Sequence, residues 1–576
     1  MNITFVCVAR TTSAKRRLPR LFEAVVEDAQ RIFGKSNDHR YLDENMAMFN
    51  ADRMSGAWKP STWHESEGHI FSVSQPPVPV DVDCNEESYW RTVVSLIATG
   101  KQSRLLPNHS GAYRRPNGSV QIWTDSLGIG RCYYVITPHF VAASNHIGIL
   151  TYFLDGPAEV DVKALGRYVH AGWFTGDDSP IQGIRRLRES AVIDISATGD
   201  VVMGEHTDLG LLVGKRDIAP DFDEVIDQTS RICRNLDKLS VRTSSVYLSG
   251  GRDSRMTASM WLSGGSDANV VTIGTLQAEA DIAQELMSLF EPDNATDQDV
   301  EHVIKYPNPV SITMGLEERF KNAFDMWDGD AAPSNVRPNV RVPEGRAGLS
   351  IGGVGGEIMH GYYYQREGDV ERIARCDNPV EFAAKSFRNP FATSEAAGAM
   401  EGFFDDNYQL ARKRGLDDIS SLDYLYLVEK FRRWGNQALG SMAAIMLSGP
   451  AYVRACFDLT PQDKIGKVFP DEIVRRALPA WRDVRYYKAN SSDSKKSMKK
   501  KLATFDTDPD YFYEVFRNPR LWPHFIQGNQ VDKLLDLVKA GEALPVHESR
   551  LNYAMWIDHI GTHVNQLNRR VAEVNK

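Results

Sequence analysis

Ser245-Val246-Tyr247-Leu248-Ser249-Gly250-Gly251-Arg252-Asp253-Ser254-Arg255 is the stretch on which the reading of the fold turns. The short apolar run Val246-Tyr247-Leu248 predicts a buried strand. It ends in Ser249-Gly250-Gly251, and a helical pattern follows at once in Met256, Ala258, Met260, Trp261 and Leu262. A strand, a glycine-rich turn and a helix N-terminus make an anion site, because free backbone N–H groups and the helix dipole both favour negative charge there. The two glycines let the chain approach a phosphate closely. Ser249 and Ser254 add hydroxyl donors, and Asp253 adds a carboxylate of the kind magnesium prefers.

The spacing is not that of a Walker A loop, which requires G-x-x-x-x-G-K-[ST]. The hexapeptide S-G-G-R-D-S at 249–254 instead resembles the pyrophosphate loop of the ATP-pyrophosphatase (PP-loop) enzymes, which split ATP between the α and β phosphates. An ordinary glycine-rich turn between strand and helix is the plain alternative. The resemblance implies that Leu248, Ser249, Gly250, Gly251, Asp253 and Ser254 hold ATP, with Mg²⁺ on Asp253.

Downstream, Asn269-Val270-Val271-Thr272-Ile273-Gly274-Thr275 predicts a second buried strand ending in glycine. The order β-α-β-α implies a parallel sheet with ligands at the strand carboxyl ends. By the resemblance, Ile273 and Gly274 contact adenine. Leu349-Ser350-Ile351-Gly352-Gly353-Val354-Gly355-Gly356-Glu357-Ile358-Met359-His360-Gly361-Tyr362 resembles the L-S-G-E-G-S-D-E-L-F-G-G-Y segment of the asparagine synthetase B family. Glu357 falls on the last acid of that segment, Gly352 lies in its nucleotide-facing turn, and Gly353 and Gly356 stand where the family has a glutamate and an aspartate. The resemblance makes Glu357 a catalytic acid and a second magnesium ligand beside Asp253. Alternatively Asp253 acts with waters alone, or the chemistry has been lost. Pro470–Arg476, Leu478-Pro479 and Arg485-Tyr486-Tyr487-Lys488 resemble the family's L-R-x-A…L-P…R-x-K segment, which makes Lys488 the catalytic cation, with Arg485 and Lys464 as alternatives. One of Arg252 and Arg255 pairs with an acidic substrate or with phosphate oxygens, or both are helix-surface charge.

The first part of the chain reads as strand-rich by alternation and turn signals. Met1 to Ala9 predicts a strand, and Asn117-Gly118 a hairpin. Asp125-Ser126-Leu127-Gly128-Ile129 followed by Tyr133-Tyr134, Gly183-Ile184-Arg185-Arg186-Leu187 and the turn Thr198-Gly199-Asp200 come in an order similar to the class II glutaminase domain of asparagine synthetase B, an N-terminal-nucleophile sandwich. That activity needs a cysteine at the mature amino terminus, where its own amine helps activate the thiol. Position 2 is Asn2, and Cys7 lies inside the strand pattern. The expectation is an α+β N-terminal sandwich at 1–212, degenerate as a glutaminase, then an α/β PP-loop domain with a parallel sheet and added helices at 213–576. Beta-lactam synthetase and the lasso-peptide macrocyclases are relatives with the same loss. The resemblance implies an AMP-forming ligase joining a small-molecule or peptide carboxylate to an amine, or a non-catalytic nucleotide-binding relative.

Composition limits the other classes. With 576 residues, 42% of them hydrophobic, the chain is long enough for two or more globular domains. A formal charge of −9 makes no case for nucleic acid, and a PP-loop enzyme acting on tRNA is disfavoured further by the lack of paired cysteines. The six cysteines are widely spaced and give neither a zinc pattern nor a disulfide framework. No apolar run is long enough for a membrane span, and the apolar start followed by Arg10 and Lys15-Arg16-Arg17 has the opposite order to a secretory signal. A cytoplasmic protein is expected, without membrane or nucleic-acid partners; a homodimer is compatible with it. Tyr424 to Met446 predicts a long helix, Phe222 to Leu239 an amphipathic one, and Leu551 to Val574 a capping helix. The lysine cluster from Lys495 to Lys501 predicts a solvated loop.

Overall fold

The computed structural model describes residues 2–34, 36–53, 56–216, 218–292, 298–306, 314–330, 348–433, 443–488, 508–542 and 545–576. The Lys495–Lys501 cluster lies outside them.

Two six-stranded antiparallel sheets make the first part of the chain. One runs in the order Arg185–Arg186, Tyr133–Ile136, Phe140–Ser144, Ile3–Ala9, Met46–Asp52, Asn37–Leu42. The other runs Val201–Glu205, Ala191–Ile195, Val120–Thr124, Ser110–Arg114, His69–Val73, Trp63–Ser66. The period-two alternation of strands explains the layering. Val6 and Val8 face Ile70, Ile122 and Ile193 between the sheets. Phe5 and Cys7 point the other way, onto Leu18, Phe22 and Val25 of the helix Thr12–Phe33. On the far side, Phe71, Tyr113 and Trp123 pack against Tyr89, Val93 and Ile97 of the helix Glu86–Ala98. The Asn117-Gly118 hairpin forms, with Gly118 at φ 81° joining Ser110–Arg114 to Val120–Thr124. Asp125 has a structural role: its buried carboxylate accepts the backbone N–H groups of Asn108, His109, Leu127, Ile129 and Gly130 and so ties the turn together.

Later in the chain lies a five-stranded parallel sheet in the order Val300–Lys305, Ala268–Ile273, Ser245–Tyr247, Ser350–Ile351, Ala443–Ala444. The strand Ser245–Tyr247 is therefore central. The next strand in sequence lies on one side of it and the fourth on the other. This is a topological switch point, where connections leaving the carboxyl ends diverge and open a crevice. The helix Phe222–Leu239 is capped by Asp221, which accepts from Glu224 N at 2.9 Å, and it buries Val225, Ile232 and Leu236.

The long helix expected over Tyr424–Met446 is not formed as such. A helix at Ser420–Leu425 widens into a π turn at Tyr426–Phe431, and Ala443–Ala444 is the edge strand of the parallel sheet. Ala444, Ile445, Met446 and Leu447 are all buried. A short continuous apolar run suits a covered parallel strand as well as a helix, and pairing with Ser350 and Ile351 decides between them.

The hydrophobic cores cross the expected boundary at 212/213. The helix Pro545–Asn575 packs Trp556, Ile560 and Val564 into the core that contains Phe5, Phe22 and Phe324. A buried ionic network joins the two parts as well. Arg433 donates to Asp330 at 2.6 Å, Arg186 lies 3.5 Å from the same carboxylate, and Arg131 pairs with Asp328 at 2.8 Å. Among the described residues no helix is long and apolar enough to cross a membrane.

Candidate active site

The loop Ser249–Ser254 leaves the central strand at the switch point and enters the helix Arg252–Ser263. Its hydroxyls brace it internally. Ser249 Oγ and Ser254 Oγ are 2.8 Å apart, Ser249 N donates to Ser254 Oγ at 3.2 Å, and Gly251 N donates to Ser249 Oγ at 3.1 Å. Gly251 occupies the N-cap and supplies no side-chain cap to the first turn of the helix. Leu248 is buried and anchors the strand end, its N–H on Val271 O at 3.0 Å.

The fourth strand delivers the opposite wall. Gly353 and Gly356 pack directly on Asp253. A Cβ on Gly353 would fall 2.7 Å from Asp253 Cβ and 2.8 Å from Ser254 N, and one on Gly356 would fall 2.4 Å from Asp253 Cγ. The two positions where the resembling family carries acids thus have no room for a side chain. Gly352 has open space around it. His360, at the end of the turn Gly356–His360, donates from Nε2 to Asp253 Oδ1 at 2.7 Å. Glu357 accepts from the Tyr426 hydroxyl at 3.0 Å, and burial pushes that phenol's pKa well up.

These contacts test the expected magnesium pair. One oxygen of Asp253 is bonded to His360, the other lies against Gly356, and Glu357 carries Tyr426. Among the described residues there is no group of three or more His, Cys, Asp or Glu placed to hold a metal. A hydrogen-bonded carboxylate still coordinates metal, and magnesium bound with phosphates needs only one or two of them, so these contacts leave Asp253 and Glu357 compatible with that role.

The segment that resembles the family's lysine motif is brought onto the loop. Tyr487 N donates to Gly250 O at 2.9 Å, and Gly250 has no space for a Cβ, which would lie 2.8 Å from Tyr487 Cβ. Arg255 is buried and donates to Val484 O at 2.6 Å and Arg485 O at 2.7 Å. Arg252 and Arg255 lie 4.1 and 4.0 Å from the Tyr486 ring centre. Arg255 is therefore a clamp between two stretches of chain rather than a ligand for an acidic substrate. Lys488, next along, is exposed. Lys464 is not a free cation: it is buried and paired with Asp423 at 2.7 Å.

Ile273 is half-exposed at the carboxyl end of its strand, and Gly274 lies under the ring of Tyr306, where a Cβ would come within 2.6 Å. Two residues with no sequence signal complete the site. His360 lay unassigned within the glycine-rich stretch. Lys467 sits at φ 60° between two helices, its Nζ 3.4 Å from His360 O. Burial, and then the nearby Arg252 charge, lower the Lys467 pKa, while Asp253 opposes them.

The amino-terminal sheets offer a different picture. Asn2 is buried, accepting from Arg53 N and Asn145 Nδ2 at 2.7 Å each. Cys7 lies in the helix-side core, where burial pushes its thiol pKa well up. The cavity beside Thr4, Ser72 and Ser144 is about 10 Å³, room for one water. No protein-family model matches the chain, and no curated protein is significantly similar to it.

Proposed function

We propose that the chain is an ATP-dependent, AMP-forming carbon–nitrogen ligase, which adenylates a carboxylate and couples it to an amine without hydrolysing glutamine. One observation carries this reading. The S-G-G-R-D-S loop stands at the switch point of a parallel sheet, with the Val484–Tyr487 segment clamped onto it. An open helix N-terminus and the loop amides suit the triphosphate of ATP. The substrate carboxylate attacks the α phosphorus in line, and pyrophosphate departs against the loop. Fixed donors aimed at the developing charge supply much of the rate, and holding the acyl-adenylate beside the amine supplies more. Lys488 is the candidate for the phosphoryl oxygens. The finer description of the fold, a degenerate glutaminase-like sandwich followed by a PP-loop domain, belongs to the same proposal.

The test uses ATP labelled at the α or γ phosphate, incubated with pooled amino acids and short peptides. AMP and pyrophosphate are the expected products, with at least a tenfold loss in Lys488→Met. Release of ADP and phosphate refutes the reading. ATP binding without turnover supports the second reading, a non-catalytic nucleotide-binding relative, which the glycines at 353 and 356 favour.

A further inference from the structure

We propose that a small, singly charged inorganic anion of the chloride class binds among the buried guanidinium groups of Arg186, Arg432 and Arg433, where the two parts of the chain meet. Each of these side chains is at most 2% exposed, and the three share acceptors. Arg186 and Arg433 meet on one oxygen of Asp330, at 3.5 and 2.6 Å. Arg432 and Arg433 both donate to the carbonyl of Gly176, and Arg186 Nη2 lies 3.5 Å from the carbonyl of Arg432. Three positive groups are thereby gathered around a few common atoms.

Their donors outnumber the acceptors the protein supplies. Among the described residues, Nε of Arg186, Arg432 and Arg433 and Nη1 of Arg186 are buried without a hydrogen-bond acceptor. The charges do not balance either. Asp330 serves Arg186 and Arg433, while Glu189 serves Arg432 and Arg188. The third carboxylate facing them, Glu429, accepts from Gly176 N at 2.8 Å, and burial raises its pKa toward the neutral acid. Asp328 is taken by Arg131, and Asp178 by Arg167 and Arg185. Burial, and then the Arg433 and Arg432 charges, lower the Arg186 pKa; burial and then the Arg433 charge bring that of Arg432 down to about 10. Like charges crowded out of water have this effect. An unpaired buried charge is costly, and buried donors are as a rule satisfied. One anion answers both demands, and a spherical halide accepts from several N–H groups without imposing a direction. It braces the Gly128–Ile129 turn, whose carbonyls Arg186 holds, against the end of the π turn Tyr426–Phe431 that carries the partner of Glu357.

The experiment is calorimetric melting of the whole protein in sodium chloride, sodium bromide and sodium gluconate at equal ionic strength. The transition is expected to climb with chloride or bromide, by about 5–10 °C when the ion stands at a hundredfold its dissociation constant, and to stay in place in gluconate, which is too bulky to enter a closed core. Arg186→Met leaves Asp330 to Arg433 and removes the excess charge, so its melting is expected to be the same in all three salts. Crystals of the parent grown in bromide give a readout that does not depend on the variant folding: an anomalous bromide peak in contact with Arg186, Arg432 and Arg433 is expected. Parent melting that ignores the choice of anion overturns the inference. A folded Arg186→Met that keeps the chloride dependence overturns it too, and so do bromide crystals with only water on the three Nε groups.

Discussion

Putting an acid back at position 356 is expected to damage the site rather than restore a metal ligand, and the size of the damage follows from the glycine packing. A Cβ on Gly356 falls 2.4 Å from Asp253 Cγ and 2.5 Å from its Oδ2, well inside contact distance. Asp253 cannot swing away freely, because His360 holds its other oxygen at 2.7 Å. Overpacking of this kind costs about 1–3 kcal/mol. Gly353→Ala belongs at the upper end, since two of the atoms it meets are backbone of the loop helix. Gly352→Ala is the control: nothing lies within 4 Å of its Cβ. Gly356→Asp adds repulsion between two carboxylates, about 1–4 kcal/mol at ~4 Å between the dielectric limits of water and a protein surface. Melting followed by calorimetry is the assay. At about 2–4 °C per kcal/mol for a cooperative unit of 150–250 residues, Gly353→Ala and Gly356→Ala should lower the transition by about 2–12 °C, and Gly352→Ala should leave it in place. Asp253→Asn combined with Gly356→Asp should recover the repulsive part, as a non-additive pair. If Gly356→Ala and Gly353→Ala melt with the parent, these glycines do not pack on Asp253 as described.

Two further outcomes concern the rest of the molecule. Asp330→Ala strands Arg433 and Arg186 in the interior without their carboxylate and should cost about 3–5 kcal/mol, read as a lower melting temperature. Acidification should destabilise the protein through its buried histidines: burial holds His109 down to about 4 and His559 down to about 3. The unfolded chain binds protons on these rings below about pH 6.5 and the folded chain does not, so stability falls with pH from about 6.5 to the folded values, by at most about 1.4 kcal/mol per pH unit for each. Stability against urea, measured every half unit, checks the slope; a flat profile from pH 6 to 4.5 contradicts it.

What the sequence discloses about this site is whatever is local. The turn at Ser249–Ser254 carries its own glycines and hydroxyls, and the parallel order follows from helix patterns between short apolar runs. Gly352, Gly353 and Gly356 are legible as glycines, but that two of them press on Asp253 is a matter of tertiary packing. His360, Tyr426 and Lys467 reach the crevice from three separate elements, and none has a spacing that announces it. The helix Thr12–Phe33 has a regular apolar stripe in Leu18, Leu21, Phe22, Val25 and Ala29, yet Lys15-Arg16-Arg17 at its start reads equally well as a solvated turn. Arg255 illustrates the opposite failure: a charge beside a phosphate motif suggests a ligand, and only the two carbonyls it meets identify it as a clamp.

The helix Pro545–Asn575 sets a timetable for the chain's maturation. It shares a core with the first strand, and Arg570 reaches Asp28 at 3.8 Å across more than five hundred intervening residues. At a synthesis rate of about 5–20 residues per second, roughly half a minute to two minutes separate the emergence of those partners from the ribosome. During that interval the early sheet presents apolar surface awaiting its cover, a target for chaperones.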